Sequence, residues 1–250
     1  MLQRDVAPGI HRIEDSYVNW YLVEGDDGLL VVDAGVPASW RSLEGVLGEL
    51  GRRPDELAAL LLTHAHFDHV GFAERARREL GIEVWVHDND VPLARHPLQY
   101  AHERSRLPYP LRHPAARPIV ASFARNRAFF PAPIRALRRY EAGDGAGPLP
   151  LPGAPRPCFT PGHTLGHCAL HLPDRDVVIA GDALVTLDPY TGERGPRIVA
   201  RAATADSERA LASLDALAAT GAGTLLPGHG EPWRDGAAAA VEAARAAGVR

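Results

Sequence analysis

The residues most able to do chemistry in this sequence form the run THAHFDH at positions 63–69. Four of them are potential metal ligands, namely His64, His66, Asp68 and His69. On an extended backbone, side chains two positions apart lie on the same side, so His64 and His66 can share one metal ion. Asp68 and His69 are adjacent and therefore diverge, which lets them face a second ion. The spacing favours a dinuclear metal centre.

Three later residues could add ligands to this centre: His163, Asp182 and His229. Each follows a glycine, in the stretches TPGHT, AGD and PGHG, and each comes after a predicted strand. Glycine permits positive φ and close backbone approach, as a loop folded around a metal requires. Any one of the three alone would be read as an ordinary turn residue. Together with the first run, they indicate a metal site. Imidazole and carboxylate ligands favour zinc, although iron or manganese would also accept them.

Apolar patterning predicts the elements that must position these residues. Short strands at 9–13, 17–23 and 29–33 read as antiparallel, because tight turns join them. A helix is expected at 37–50, a buried strand at 57–62, a helix at 71–80 and a strand at 83–87. After a loop-like tract at 143–157, strands are expected at 158–160, 168–172, 177–180 and 224–226, with helices at 207–219 and at the Ala-rich end. Strands that alternate with helices predict a layered α/β fold.

Residues 91–140, called the cap segment below, differ from the rest of the chain in their content of proline and arginine. Prolines interrupt any long element, and we expect one amphipathic helix from Ile119 to a stop at Pro131, then a short helical piece at 134–140. Ten of the 27 basic residues, all arginine, lie between positions 95 and 139, against the single acid Glu103. We interpret the segment as a cap inserted in a single domain of residues 1–250. Its arginines could bind an acidic substrate that has an apolar portion. Alternatively, they could form a solvated face or pair with the acidic remainder of the chain, for example across a homodimer interface.

Composition limits the classes of protein that this sequence can represent. Hydrophobic residues make up 46% and charged residues 23% of the 250 positions, as in ordinary folded proteins. A net charge of −4 does not indicate a nucleic-acid partner, and no apolar run is long enough to indicate a membrane span. The charged start of the sequence is unlike a signal peptide, so we expect a cytoplasmic protein whose two cysteines remain reduced. The expected partner is a small-molecule substrate.

The ligand pattern HxHxDH, followed by separate His, Asp and His residues, resembles the metallo-β-lactamase superfamily of metal-dependent hydrolases. The resemblance implies an αβ/βα sandwich of two mixed sheets with outer helices. It also implies that His64, His66 and His163 bind one metal ion, that Asp68, His69 and His229 bind the second, and that Asp182 bridges both. Asp33 resembles an upstream aspartate that supports such sites without binding metal, and His167 a second histidine that is not a ligand.

The implied ligand set predicts hydrolytic chemistry. Two metal ions roughly 3.5 to 4 Å apart can share a hydroxide, because they lower the pKa of bound water from about 15.7 to about 7. Their positive charge also polarises a carbonyl or phosphoryl oxygen. We therefore expect hydrolysis of an ester, thioester, lactone or phosphoester. The resemblance further implies catalytic roles for Asp182 and for Asp68, which would orient the attacking hydroxide.

The resemblance is less specific about the substrate. Glyoxalase II enzymes and lactonases share the ligands, but the former add a helical domain after the last histidine. The lactonases carry a tyrosine where this chain has Val185, although Tyr190 could substitute. Members that cleave β-lactams lack the bridging aspartate, and RNA-processing members need a lysine that is absent here. The alternative function is that of a mononuclear iron persulfide dioxygenase, which uses only part of the ligand set.

Overall fold

The computed structural model describes residues 1–143 and 146–250. Within those residues the chain forms thirteen strands and seven α-helices. The strands are β1 Leu2–Ala7, β2 Ile10–Asp15, β3 Val18–Gly25, β4 Gly28–Val32, β5 Leu57–Leu61, β6 Glu83–His87, β7 Arg138–Tyr140, β8 Arg156–Phe159, β9 Cys168–Leu172, β10 Val177–Gly181, β11 Val185–Leu187, β12 Arg194–Arg197 and β13 Thr224–Pro227. The helices are α1 Trp40–Leu50, α2 Ala73–Glu79, α3 Val91–Arg95, α4 Tyr109–Arg112, α5 Arg117–Arg125, α6 Ser207–Ala218 and α7 Ala237–Ala247.

Two mixed sheets form the centre of the molecule. The first has seven strands in the order β1 to β7, in which β1 to β4 pair antiparallel and β4 to β7 pair parallel. The second has the order β13-β10-β9-β8, with β10 and β13 parallel and the other pairs antiparallel. Strands β11 and β12 form a separate antiparallel pair.

The two sheets pack face to face and carry helices on their outer faces. In β3, Tyr21 points into the core between the sheets with Leu170 and Ile179, whereas its neighbour Leu22 points outward into the core beneath α1 and α2. On the other side, α6 and α7 cover the second sheet through Leu214 and Val241. Successive residues of a strand face opposite sides of the sheet, so residues on both faces must be apolar where both faces of the sheet are covered. The expected α/β sandwich of two mixed sheets with outer helices is confirmed.

Several elements differ from their predictions. The prediction of a helical piece at 134–140 is wrong. Arg138–Tyr140 is strand β7, which pairs in parallel with β6 and places Tyr140 opposite His87. The amphipathic helix expected from Ile119 to Pro131 is α5, which begins at Arg117 and already ends at Arg125. The helix cannot continue further, because Arg127 has a φ of 62°, outside the range of a right-handed helix. Strands β1, β11 and β12 were not predicted. Of the loop expected at 143–157, residues 144 and 145 lie outside the described residues, and β8 starts at Arg156.

Candidate metal centre

The seven predicted ligands meet at one end of the two sheets. The run 63–69 follows β5 of the first sheet, whereas Asp182 follows β10 and His229 follows β13 of the second sheet. His163 lies in the loop between β8 and β9. All seven side chains are buried, with at most 5% exposed. The structure therefore encloses these polar groups between the two sheets.

The run 63–69 is a loop rather than the extended strand end expected from its spacing. Strand β5 ends at Leu61, and His64 and His66 lie in irregular backbone beyond it. The chain then turns, with the His69 amide donating to the His66 carbonyl oxygen over 3.0 Å, before α2 begins at Ala73. Beyond the turn, Asp68 and His69 group with His229, although the His69 ring also lies 4.3 Å from the His64 ring.

His64, His66 and His163 form the first cluster. Their ligand-type nitrogens lie within 4.8 Å of one another, and the ring centroids of His66 and His163 are 4.4 Å apart. The Nε2 atoms of all three are buried and have no hydrogen-bond partner within residues 1–143 and 146–250. Three buried imidazole nitrogens without partners are costly unless a ligand satisfies them. This arrangement fits a metal ion.

Asp68, His69 and His229 form the second cluster, and Asp182 lies between the two. The ligand-type atoms of the second cluster also lie within 4.8 Å of one another. Asp182 Oδ2 is 3.4 Å from His163 Nε2 and 3.2 Å from His229 Nε2. Its other oxygen, Oδ1, is 3.5 Å from His69 Nε2 and has no hydrogen bond within the described part of the chain. Asp182 is thus placed to contact ions held by either cluster.

Hydrogen bonds on the far side of the rings orient the second cluster. His69 Nδ1 donates to Asp33 Oδ2 over 3.0 Å, and His229 Nδ1 donates to the Tyr17 carbonyl oxygen over 2.7 Å. Asp33 also accepts from the amide and the hydroxyl of Thr63, both over 2.8 Å. With Nδ1 protonated, the Nε2 lone pair faces the site. Asp33 therefore lies where the sequence resemblance put it, behind a ligand.

Electrostatics suits the first cluster and Asp182 to bind a cation, whereas in the second cluster burial lowers the pKa values of His69 and His229 but the neighbouring aspartates raise them further. Burial lowers the pKa of His66 to about 4 and the pKa values of His64 and His163 well below their usual value, so these imidazoles are neutral ligands. For Asp182, burial alone would raise the pKa, but His229 and His69 lower it further than burial raises it. The carboxylate is therefore ionised at neutral pH.

Glycines beside the candidate ligands allow the loops of the site to approach one another closely. A Cβ on Gly228 would collide with Asp182 Oδ1 and lie 2.9 Å from His69 Cε1. Gly181 has a φ of 51°, and a Cβ there would lie 2.6 Å from Thr63 Oγ1. A side chain at either position would thus displace a ligand or the residue that supports it.

His167 supports the Asp182 loop, in agreement with its expected role behind the ligands. Its Nε2 accepts hydrogen bonds from the amides of Asp182 and Ala183, over 3.0 and 3.1 Å. Its Nδ1 lies 2.8 Å from Thr160 Oγ1. Burial lowers the pKa of His167 to about 3, which keeps the ring neutral and Nε2 able to accept. His87, at the end of β6, instead stacks on Phe159 with ring centroids 4.9 Å apart.

Asp90 is a residue of the site that the sequence did not reveal. Its carboxylate accepts hydrogen bonds from the Ala65 amide over 3.0 Å, the Thr164 hydroxyl over 2.8 Å and the Gly166 amide over 2.7 Å. It therefore ties the loop that carries His64 and His66 to the loop that carries His163. The only available signal was its place just after β6, at the same end of the sheet as the run 63–69.

We expect Asp90→Asn to weaken metal binding by the first cluster. The amide nitrogen of asparagine would face one of three hydrogen-bond donors, so at least one link between the two loops would be lost. Loss of such a supporting group typically costs about 10- to 100-fold in metal affinity or activity. Metal titration followed by calorimetry measures the change. Asp88→Asn, at an exposed position two residues away, is the control, and equal affinities in the two variants would contradict the role of Asp90.

A cavity of about 290 Å³ opens beside the first cluster. His66, His163 and Tyr100 line it, together with Leu93 and Leu165. The Tyr100 hydroxyl lies 2.6 Å from the Tyr190 hydroxyl, so Tyr190 holds a residue of the cavity wall. Nine of the ten arginines between positions 95 and 139 are exposed, and the tenth, Arg106, stacks on the Tyr100 ring at 4.6 Å.

Comparisons with known proteins agree with this geometry. A model of the metallo-beta-lactamase superfamily matches residues 13–229. A probable metallo-hydrolase of Bacillus subtilis, YflN, is 28% identical over 246 residues, which cover 91% of this chain and 86% of that protein.

Two solved structures show the same fold. A metallo-beta-lactamase family protein from Thermus thermophilus has a TM-score of 0.66 at 27% identity, covering 94% of this chain and 77% of that one. The protein TTHA1623 in a di-iron-bound form has a TM-score of 0.61 at 26% identity, covering 89% of this chain and 92% of that one. In the residues that the structure describes, no helix is long and apolar enough to span a membrane.

Proposed function

This chain belongs to the metallo-beta-lactamase superfamily, and from that membership we propose that it is a hydrolase with a dinuclear metal centre. The observation that carries the proposal is the set of buried atoms that converge at the site without partners among the described residues: Nε2 of His64, His66 and His163, and Oδ1 of Asp182. These donors are neutral imidazoles and a carboxylate, which fit a divalent ion.

The side chains divide into two sets around Asp182. His64, His66 and His163 would hold one ion, Asp68, His69 and His229 the other, and Asp182 both. Zinc suits this donor set, and manganese and iron are the alternatives. The di-iron form of a structural relative supports a centre with two ions and also supports iron as a candidate.

When bound, the two ions supply a nucleophile from water at neutral pH and polarise the oxygen of the bond to be cleaved. The chain's own residues position the reactants. Asp68 belongs to the second cluster, and its Oδ2 lies 3.4 Å from His229 Nε2. Its carboxylate can accept a hydrogen bond from the attacking water. The apolar side chains of the 290 Å³ cavity exclude bulk water from the substrate next to His66 and His163. An ester, thioester, lactone or phosphoester of a small, in part anionic, molecule fits this site.

Elemental analysis of the purified protein, together with a panel of chromogenic lactone, thioester, carboxylester and phosphodiester substrates, tests the proposal. We expect about two zinc, manganese or iron ions per chain and turnover of at least one substrate class. A single iron per chain, no hydrolysis, and oxygen consumption with a persulfide would instead identify the mononuclear iron dioxygenase. Two bound ions with neither activity would contradict both functions.

A further inference from the structure

A second cavity, about 320 Å³, lies beside the cap segment and is rich in arginine. We call it the basic pocket. Its lining comes from two distant parts of the chain: Arg104, Tyr109, Arg112 and His113 from the cap segment, and Arg201, Val249 and Arg250 from the C-terminal fifth. Four guanidinium groups therefore border one cavity, although no local pattern in the sequence brings them together.

Nearby acids do not neutralise all of this charge. Arg201 pairs with Glu103 at 3.6 Å, and Arg250 pairs with Glu193 at 3.2 Å. Across residues 1–143 and 146–250, Arg104 and Arg112 make no ion pair. Asp188, the other acid close to Tyr109, is buried, and burial raises its pKa. The basic pocket thus carries a net positive charge and two guanidinium groups that are free to bind an anion.

Glu103 is fully engaged, so it does not compete for the two free arginines. Its carboxylate accepts hydrogen bonds from the Ser207 amide over 2.7 Å and from the Ser207 hydroxyl over 2.9 Å, besides its pairing with Arg201. These bonds fix the segment that carries Arg104 against the start of α6. The position of Arg104 is therefore set by the fold.

The basic pocket and the cavity beside the metal ligands lie along the same pair of chain segments. The amides of Glu103 and Arg104 donate to the Arg201 carbonyl oxygen over 3.0 and 3.2 Å. Ala101 and Ala205 line the cavity beside His66 and His163, whereas Arg104 and Arg201 line the basic pocket. Three residues of backbone span at most about 10 Å, so the Ala101 wall of one cavity and the Arg104 wall of the other come within that distance of each other.

We propose that the basic pocket binds a phosphate group of the substrate while the apolar part with the scissile bond occupies the cavity beside His66 and His163. This inference rests on the proposed hydrolase function and narrows its substrate to a phosphorylated ester, thioester or lactone. Arg104 and Arg112 would bind phosphate through paired N–H donors, which lysine cannot supply in the same geometry. Of the remaining arginines of the cap segment, Arg106 stacks on Tyr100 and the others are exposed.

The kinetic test compares two substrates that differ only in a terminal phosphate on the acyl chain. We expect the double variant Arg104→Gln/Arg112→Gln to lose at least about tenfold in kcat/KM for the phosphorylated ester, because hydrogen bonds to charged groups are among the stronger ones. Turnover of the unphosphorylated ester should stay unchanged. Arg125→Gln/Arg127→Gln is the matched control, since both arginines are exposed in the cap segment and do not line the basic pocket.

A binding test separates this inference from the hydrolase proposal. Calorimetric titration of the metal-loaded full chain with phenyl phosphate should show binding that Arg104→Gln/Arg112→Gln weakens and the control variant preserves. Equal binding by the wild type, the Arg104→Gln/Arg112→Gln variant and the control variant would overturn the inference. The anion would then bind outside the basic pocket, for example at the metal centre. Weakened binding without any change in substrate preference would also overturn it, because the anion would then be a separate ligand. If the wild-type protein hydrolyses none of the lactone, thioester, carboxylester and phosphodiester substrates, the hydrolase proposal fails while the titration still reports on the basic pocket.

Discussion

Replacement of Asp182 by alanine is expected to abolish activity and to reduce the metal content together. The Asp182 carboxylate lies against both clusters, 3.4 Å from His163 Nε2 and 3.2 Å from His229 Nε2. Replacing a residue that merely supports a metal ligand typically lowers metal affinity or activity about 10- to 100-fold, so under the proposed dinuclear function the loss of a carboxylate that would contact both ions should lower kcat/KM more than about 100-fold. Elemental analysis and steady-state kinetics on the same preparation measure both quantities.

The control for this variant is Asp26→Ala, which removes an exposed carboxylate from the turn between β3 and β4. It should bind metal and turn over substrate like the wild type. Circular dichroism of both proteins checks that they fold, and Asp182→Asn, which preserves the size of the side chain, serves if the alanine variant does not. Full activity in an Asp182 variant that has lost metal would refute the dinuclear assignment.

Removal of the metal ions is expected to lower both activity and thermal stability. The ligands come from four separate loops, after β5, β8, β10 and β13, and only the folded chain brings them together. An ion present at 1,000 times its Kd stabilises the folded state by about 4 kcal/mol, which corresponds to a fall in Tm of about 10 °C on removal from a chain of this size. Differential scanning calorimetry before and after dialysis against a chelator measures the shift.

Return of zinc or manganese should restore both the Tm and the activity. His64→Ala provides the comparison, because it removes one ligand of the first cluster and should show a smaller response to the chelator than the wild type. An unchanged Tm with lost activity would mean that the metal ions contribute to catalysis without stabilising the fold. An unchanged activity would contradict metal-dependent hydrolysis.

Local patterns predicted the strands and helices of the two sheets well, because apolar residues that alternate or recur every three to four positions report burial directly. The buried strand expected at 57–62 is β5, and the helix expected at 207–219 is α6. Strand β7 was not predicted, because three residues are too few to show the apolar alternation of a strand. Its extended form is set by the edge of β6, to which it hydrogen-bonds, and that edge lies some fifty residues earlier in the chain.

The convergence of the seven candidate ligands was predictable for a related reason. Four of them occur within six residues, and the other three each follow a glycine at the end of a strand, so residue type and local spacing alone singled them out. Asp90 carried no comparable signal. It is an acid after a strand like many others, and its importance comes from three hydrogen bonds, two of them to a loop more than seventy residues away.

The sequence by itself determined the residue types of the metal centre, the order of most strands and the layered architecture, since each follows from side-chain chemistry and short-range periodicity. The family resemblance of the sequence already implied how the candidate ligands divide between two ions. Only the tertiary structure decided that Asp90 ties the loop of His64 and His66 to the loop of His163, and that Arg104 and Arg112 meet Arg201 and Arg250 in one pocket. The physical reason is that contacts between residues a hundred positions apart depend on how two sheets pack face to face. No local propensity of the chain encodes that packing.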